Sequence, residues 1–152
     1  MAIYKVIGIG EDNKFQDDAA YFTAIGYIFS HARYTGGINL NSPQTAAQEM
    51  LEHTKACHMN YGKRLRHSVL SFYDQEGITA EMAARMAESI ILHYSDKYQM
   101  VYAVHDDIYH LHIHFIMNQI GLDGTRYPGK KADYYKFKYW MQLATNRKVL
   151  LQ

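Results

Sequence analysis

Residues 99–119 read QMVYAVHDDIYHLHIHFIMNQ, and they contain two strand-like runs, 99–105 and 110–119. Between them, Asp106-Asp107-Ile108-Tyr109 is a connection of hairpin length. In the second run the period of two sends His112 and His114 to one face of the sheet and Ile113 to the other. His110 falls in phase with that pair, and His105 ends the opposing run. A hairpin of this kind brings imidazoles from both strands within reach of one ion. Neutral imidazoles on a rigid scaffold suit a divalent metal that keeps open positions for a substrate oxygen. Alternation alone leaves the register between the strands open.

N-terminal to the hairpin, residues 2–9, AIYKVIGI, are apolar and β-branched enough for a strand, with a polar loop behind them. Residues 17–30 form a helix-compatible stretch that Asp17 or Asp18 would cap, and Tyr34-Thr35-Gly36-Gly37 reads as a turn. Asn41-Ser42-Pro43 is a strong helix start for 44–58, because proline at the first helical position gives up an N–H that has no partner there. Residues 67–73, HSVLSFY, alternate as a strand. Thr79 caps a helix through 94 with Met82, Met86, Ile90 and Ile91 on one face. Past the turn at 121–124, a helix is expected between 132 and 146 and a last strand at 149–151. The order βααβαββαβ describes an α+β domain with helices packed on a largely antiparallel central sheet.

The chain has 152 residues, 48% hydrophobic and 20% charged, with 2 Pro and 10 Gly, a globular composition of single-domain size. No apolar run reaches the roughly 20 residues of a membrane-spanning helix. Cys57, the one cysteine, can form neither an intramolecular disulfide nor a cysteine-based zinc site. A cytoplasmic protein is expected. The net charge of +1 hides an asymmetry: residues 1–119 hold 9 Lys and Arg against 13 Asp and Glu, and residues 120–152 hold 7 against 2. In that basic tail Arg126, Lys130, Lys131, Lys136 and Lys138 alternate with Tyr127, Tyr134, Tyr135, Tyr139 and Trp140, a mixture able to track phosphates and stack on unpaired bases. Lys63, Arg64 and Arg66 add a second basic cluster.

The stretch from His105 through Asp107, His110, His112 and His114 to Asn118 resembles the third motif of conjugative and mobilisation relaxases, the histidine-hydrophobic-histidine DNA nicking enzymes. Upstream, His67-Ser-Val-Leu-Ser71-Phe72 resembles that family's central strand motif, and Glu76-Gly-Ile78-Thr79 resembles the segment that leads from that strand into a helix. Tyr27-Ile28 followed by Arg33-Tyr34-Thr35-Gly36-Gly37 resembles the segment bearing the nucleophilic tyrosine. The resemblance covers most of residues 20–120 and implies the relaxase nuclease fold.

It also implies an activity: metal-dependent nicking of one strand of single-stranded DNA at an origin of transfer, through a 5′-phosphotyrosine intermediate, for plasmid or conjugative-element mobilisation. On that pattern His105, His112 and His114 hold a divalent ion, manganese or magnesium in work and zinc or nickel in a crystal. Asp107 orients a ligand imidazole and Tyr27 is the nucleophile, with Tyr34 and His31 as rivals. Lys63, Arg64, Arg66, Arg126, Lys130, Lys131, Lys136, Lys138 and Trp140 are the expected DNA contacts, and accessory mobilisation proteins are expected partners. Family domains run longer than 152 residues, so the single domain 1–152 reads as the N-terminal fragment of a longer protein. A replication initiator or transposase of the same superfamily, or a non-catalytic single-strand-binding metal module, is the alternative.

Overall fold

The computed structural model describes residues 1–8, 14–73, 77–107 and 110–152. Glu76 and the hairpin residues Ile108 and Tyr109 lie outside the described residues, as does the part of the first loop at 9–13. The elements are β1 (Ala2–Ile7), α1 (Ala20–Phe29), β2 (Tyr34–Ile38), α2 (Ala46–Ala56), β3 (Leu65–Phe72), α3 (Ala80–Ile91), β4 (Met100–Asp106), β5 (Leu111–Asn118), α4 (Lys131–Thr145) and β6 (Val149–Leu151). The strands form one sheet in the order β2-β4-β5-β3-β1-β6, antiparallel except where β6 joins β1 in parallel. The fold is α+β with a mostly antiparallel sheet, as expected.

One strand is added to the expected order. Tyr34–Ile38, expected as a turn, is β2, paired antiparallel to β4 along its whole length. Its glycines serve a close approach: a Cβ on Gly36 would stand 2.4 Å from the Tyr102 ring and 2.7 Å from Glu88 Oε1. Tyr102 donates its hydroxyl hydrogen to that Glu88 oxygen at 2.7 Å, so the strand can lie there only if position 36 has no side chain.

Local signals set the helix starts that were legible. Ser42 Oγ accepts the Thr45 N–H at 3.3 Å, opening a 3-10 turn at Pro43–Thr45 that runs into α2. Thr79 Oγ1 accepts the Met82 N–H at 3.1 Å and starts α3. Neither aspartate caps α1, which starts after Ala19 without a side-chain cap, while Asp18 pairs with Arg64 at 3.0 Å.

The helices divide between the two faces of the sheet. Leu70, Phe72, Val104, Ile113 and Phe115 pack under α3 and α4 with Ala83, Ile90, Phe137 and Met141. Leu65, Val101, Ala103 and Ile116 face the other way, against Ala24, Ile25 and Ile28 of α1 and Met50 of α2. Each fully buried Leu, Ile or Phe contributes on the order of 2 kcal/mol by leaving water. The stripe Ala20, Tyr21, Ala24, Ile25 and Ile28 fixes the rotation of α1 about its axis. Tyr27 lies beside the stripe and is 69% exposed. No described helix is long and apolar enough to cross a membrane.

Candidate active site

Strand register assembles the histidines. His105 pairs directly with His112 across β4 and β5, while His114 sits opposite Ala103 and Val69. Directly opposed residues share a face, so all three imidazoles stand on the α1 side with Ala103 and Ile116. Their ring centroids form a near-equilateral triangle with sides of 5.3, 5.0 and 5.0 Å.

Each ring has one nitrogen engaged by a neighbour. His105 Nε2 lies 2.6 Å from the Ile28 carbonyl oxygen and His112 Nδ1 lies 3.2 Å from that of His110. His114 Nδ1 lies 2.9 Å from His67 Nε2. Asp107 stands beside this row: Oδ1 accepts the His110 N–H at 3.0 Å, and Oδ2 is 3.9 Å from His112 Nδ1. His110 itself turns to Tyr73, with ring centroids 4.5 Å apart.

Burial favours the neutral form of His114, His67 and His112. It pushes His114 down to about 3, with His67, His112 and His105 adding repulsion, and His67 down to about 4, with Lys14 adding to it. His112 is lowered by burial against the opposing pull of Asp107. Neutral imidazoles keep the lone pairs that a metal needs.

Tyr27 stands over the row, its ring centroid 6.2 Å from His114 and 6.4 Å from His67. A cleft of about 570 Å³ opens beside it, lined by Lys14, Phe15, Thr23, Tyr27, His67 and His114 among others. Tyr34 is placed differently. It pairs with Val104, whose side chain belongs to the α3 side, so the sheet separates it from the histidines.

The basic residues do not gather here. Arg64 is 6% exposed and is spent on Asp18 and the carbonyls of Gln16, Asn60 and Gly62. Arg126 donates to the carbonyls of Lys63 and Tyr61, clamping that loop, and stacks over Tyr61. Arg66 lies over the Tyr127 and Tyr134 rings. Lys131, Lys136, Lys138 and Trp140 ride on α4, and Lys130 caps it, on the sheet face opposite the histidines. The Trp140 indole N–H donates to the Ser89 carbonyl at 2.8 Å.

His67 was missed as a site residue by sequence reasoning. It lies in the strand expected at 67–73, but only the β3–β5 pairing, with His67 opposite Ile116, puts it next to His114.

Among the described residues, no three His, Cys, Asp or Glu side chains converge on one point as they stand. The donor chemistry and the ring spacing nevertheless fit a divalent ion. Imidazoles sharing an ion about 2.1 Å from each nitrogen have centroids roughly 5 Å apart, close to the triangle observed.

Imidazoles below an exposed phenol are groups suited to chemistry on a phosphodiester. The family model for relaxases, MobA/VirD2-like nuclease domain, matches residues 28–148, and the chain belongs to that family. The nuclease domain implies DNA nicking for mobilisation. The match begins one residue after Tyr27. No curated protein and no solved structure matches the chain.

Proposed function

We propose that this chain nicks single-stranded DNA at an origin of transfer by transesterification, with Tyr27 as nucleophile. The observation that carries this reading is the Tyr27 ring 6.2 Å from His114, over the one sheet face that carries His105, His112 and His114. In the reaction the Tyr27 oxygen forms a bond to phosphorus and the bond from phosphorus to O3′ breaks. The 5′ phosphate stays on the enzyme, and the proton lost by the phenol is balanced by one gained at the free 3′ hydroxyl. The phosphotyrosine ester keeps the energy of the broken bond for rejoining.

His105, His112 and His114 are the residues that would hold a divalent ion, and phosphate oxygen as a further ligand suits manganese or magnesium. When bound, such an ion withdraws charge from a nonbridging phosphate oxygen, the charge that otherwise repels a nucleophile. Asp107 holds the His110 backbone and the His112 side of the row in place. The cleft beside Tyr27 admits a strand to the phenol, and Lys14 on its wall adds positive charge. A binding module without catalysis would use an exposed phenol here only to stack a base and would form no covalent adduct, and the family match argues against a replication initiator or transposase.

The test is incubation of the wild type and Tyr27→Phe with single-stranded origin oligonucleotides and manganese, then denaturing electrophoresis. A covalent adduct is expected with the wild type, mapping to residue 27 by mass spectrometry, and none with Tyr27→Phe. An adduct that persists in Tyr27→Phe would overturn the assignment.

A further inference from the structure

Two of the three row histidines are locked by backbone carbonyls. A carbonyl oxygen can only accept, so His105 carries its proton on Nε2, toward Ile28, and His112 on Nδ1, toward His110. Each is left with one lone pair, on Nδ1 of His105 and on Nε2 of His112. His114 has a side chain, His67, in the place of such a carbonyl.

We propose that His67 is a positioning residue that sets the tautomer of His114, its Nε2 accepting the His114 Nδ1–H so that the His114 Nε2 lone pair is left for the divalent ion. This role rests on the metal reading above. The 2.9 Å separation of His67 Nε2 and His114 Nδ1 requires one ring to donate and the other to accept. If His67 donated, neutral His114 would carry its remaining proton on Nε2 and would have no lone pair to share with His105 and His112. With His114 donating, all three rings are committed in the same sense, each N–H turned to a fixed acceptor and each remaining nitrogen free. His67 then carries its own proton on Nδ1.

Placement makes His67 suited to this. It stands diagonally across β3 and β5 from His114, on the same face, and is 5% exposed, so little water competes for the bond. Its ring also lies 6.4 Å from that of Tyr27, so the same imidazole borders both the ligand row and the nucleophile. A neighbour that fixes a ligand histidine's tautomer commonly changes metal affinity 10- to 100-fold when removed.

The experiment has two parts on the whole chain. Long-range proton–nitrogen NMR of the metal-free wild type reads the His114 tautomer, and a proton on Nδ1 is expected. Calorimetric titration with manganese chloride then compares the wild type, His67→Phe and His67→Gln. His67→Phe is expected to weaken binding by roughly 10- to 100-fold. His67→Gln, whose amide oxygen can accept in place of Nε2, is expected to recover most of the loss, which a merely space-filling role would not produce. His114 protonated on Nε2, or equal affinity in the wild type and His67→Phe, would overturn the role of His67 while leaving the metal reading intact. Manganese binding absent from the wild type itself would overturn the metal reading, and the role of His67 with it. The NMR result decides even where His67→Phe does not fold.

Discussion

The Tyr27 ring meets the His114 imidazole edge-on, with centroids 6.2 Å apart and planes at 89°. Hydrogen bonds at both ends hold the helix that makes this possible. The Tyr21 hydroxyl lies 2.9 Å from Asn118 Oδ1, at the end of the strand that carries His112 and His114, and 2.7 Å from Thr54 Oγ1. At the other end of α1 the His105 Nε2–H donates to the Ile28 carbonyl, one residue past Tyr27. Tyr27 and the histidine row are therefore tied through the same two strands.

Tyr21→Phe should cost about 1–2 kcal/mol, since it removes a buried hydroxyl but leaves Asn118 Oδ1 its bond from the Ile120 N–H. Slower adduct formation at saturating DNA is expected with little change in DNA affinity, because the change acts on the seat of α1. Urea midpoints and single-turnover adduct rates check both parts. An adduct rate equal to the wild type's would show that this anchor does not position Tyr27.

Chelating the metal should stop adduct formation and leave the fold intact. The sheet and its two apolar layers are built without the ion, unlike a small zinc domain whose folding energy is the metal's. At an ion concentration 100 times its dissociation constant, binding adds about 2.7 kcal/mol to stability, so chelation should lower the melting temperature without unfolding the protein at 25 °C. His112→Ala should abolish that metal-dependent rise. Circular dichroism melts with and without manganese make the comparison.

The metal-free protein should lose stability as pH falls below 6.5. Burial holds His67 down to about 4 and His114 down to about 3, so between pH 6.5 and those values the unfolded chain binds protons that the folded one refuses. The slope is about 1.4 kcal/mol per pH unit for each histidine that stays neutral, and above 6.5 the contribution is flat. Asp133 acts in a lower window. Burial raises it, but hydrogen bonds from His93, Tyr127 and Tyr94 outweigh this and hold it near 2, so its contribution is present above about pH 4 and fades toward 2. Urea titrations of the metal-free wild type and His67→Phe from pH 4 to 8 test the histidine window; equal slopes between pH 5 and 6.5 would contradict it.

Single-strand affinity should fall steeply with salt if α4 tracks the phosphates, by a slope of about 0.7 for each contact in a log–log plot. Replacing Lys130, Lys131, Lys136 and Lys138 with alanine should flatten that slope. The adduct rate on a short saturating oligonucleotide should not change, because these residues lie on the sheet face opposite Tyr27. An unchanged slope would remove α4 from the DNA path.

Legibility from residues alone was local. The caps at Ser42 and Thr79 act within three residues, and the alternation that puts His112 and His114 on one face comes from the pleat of a single strand. The hairpin joining His105 to that face needed only a short connection. Asn118 was legible as part of a motif, but its work as a buried hub for Tyr21, Thr54 and Gln99 was not.

The rest was decided by contacts between segments distant in the chain. Gly36 and Gly37 have the composition of a turn, and nothing within five residues announces the Tyr102–Glu88 pair that turns them into an edge strand. Arg64 and Arg126 have the charge of phosphate contacts, and they became loop clamps because carbonyls of residues 60–63 face them. The side of the sheet on which α4 rests was settled by Phe137 and Met141 packing with α3. The amino-acid sequence by itself determined the α+β composition and the histidine row, because strand periodicity and helix caps are properties of neighbouring residues. Only the tertiary structure decided that His67 joins the row and that Tyr27, not Tyr34, stands over it, because strand register and helix docking are set by burial and pairing across the whole chain.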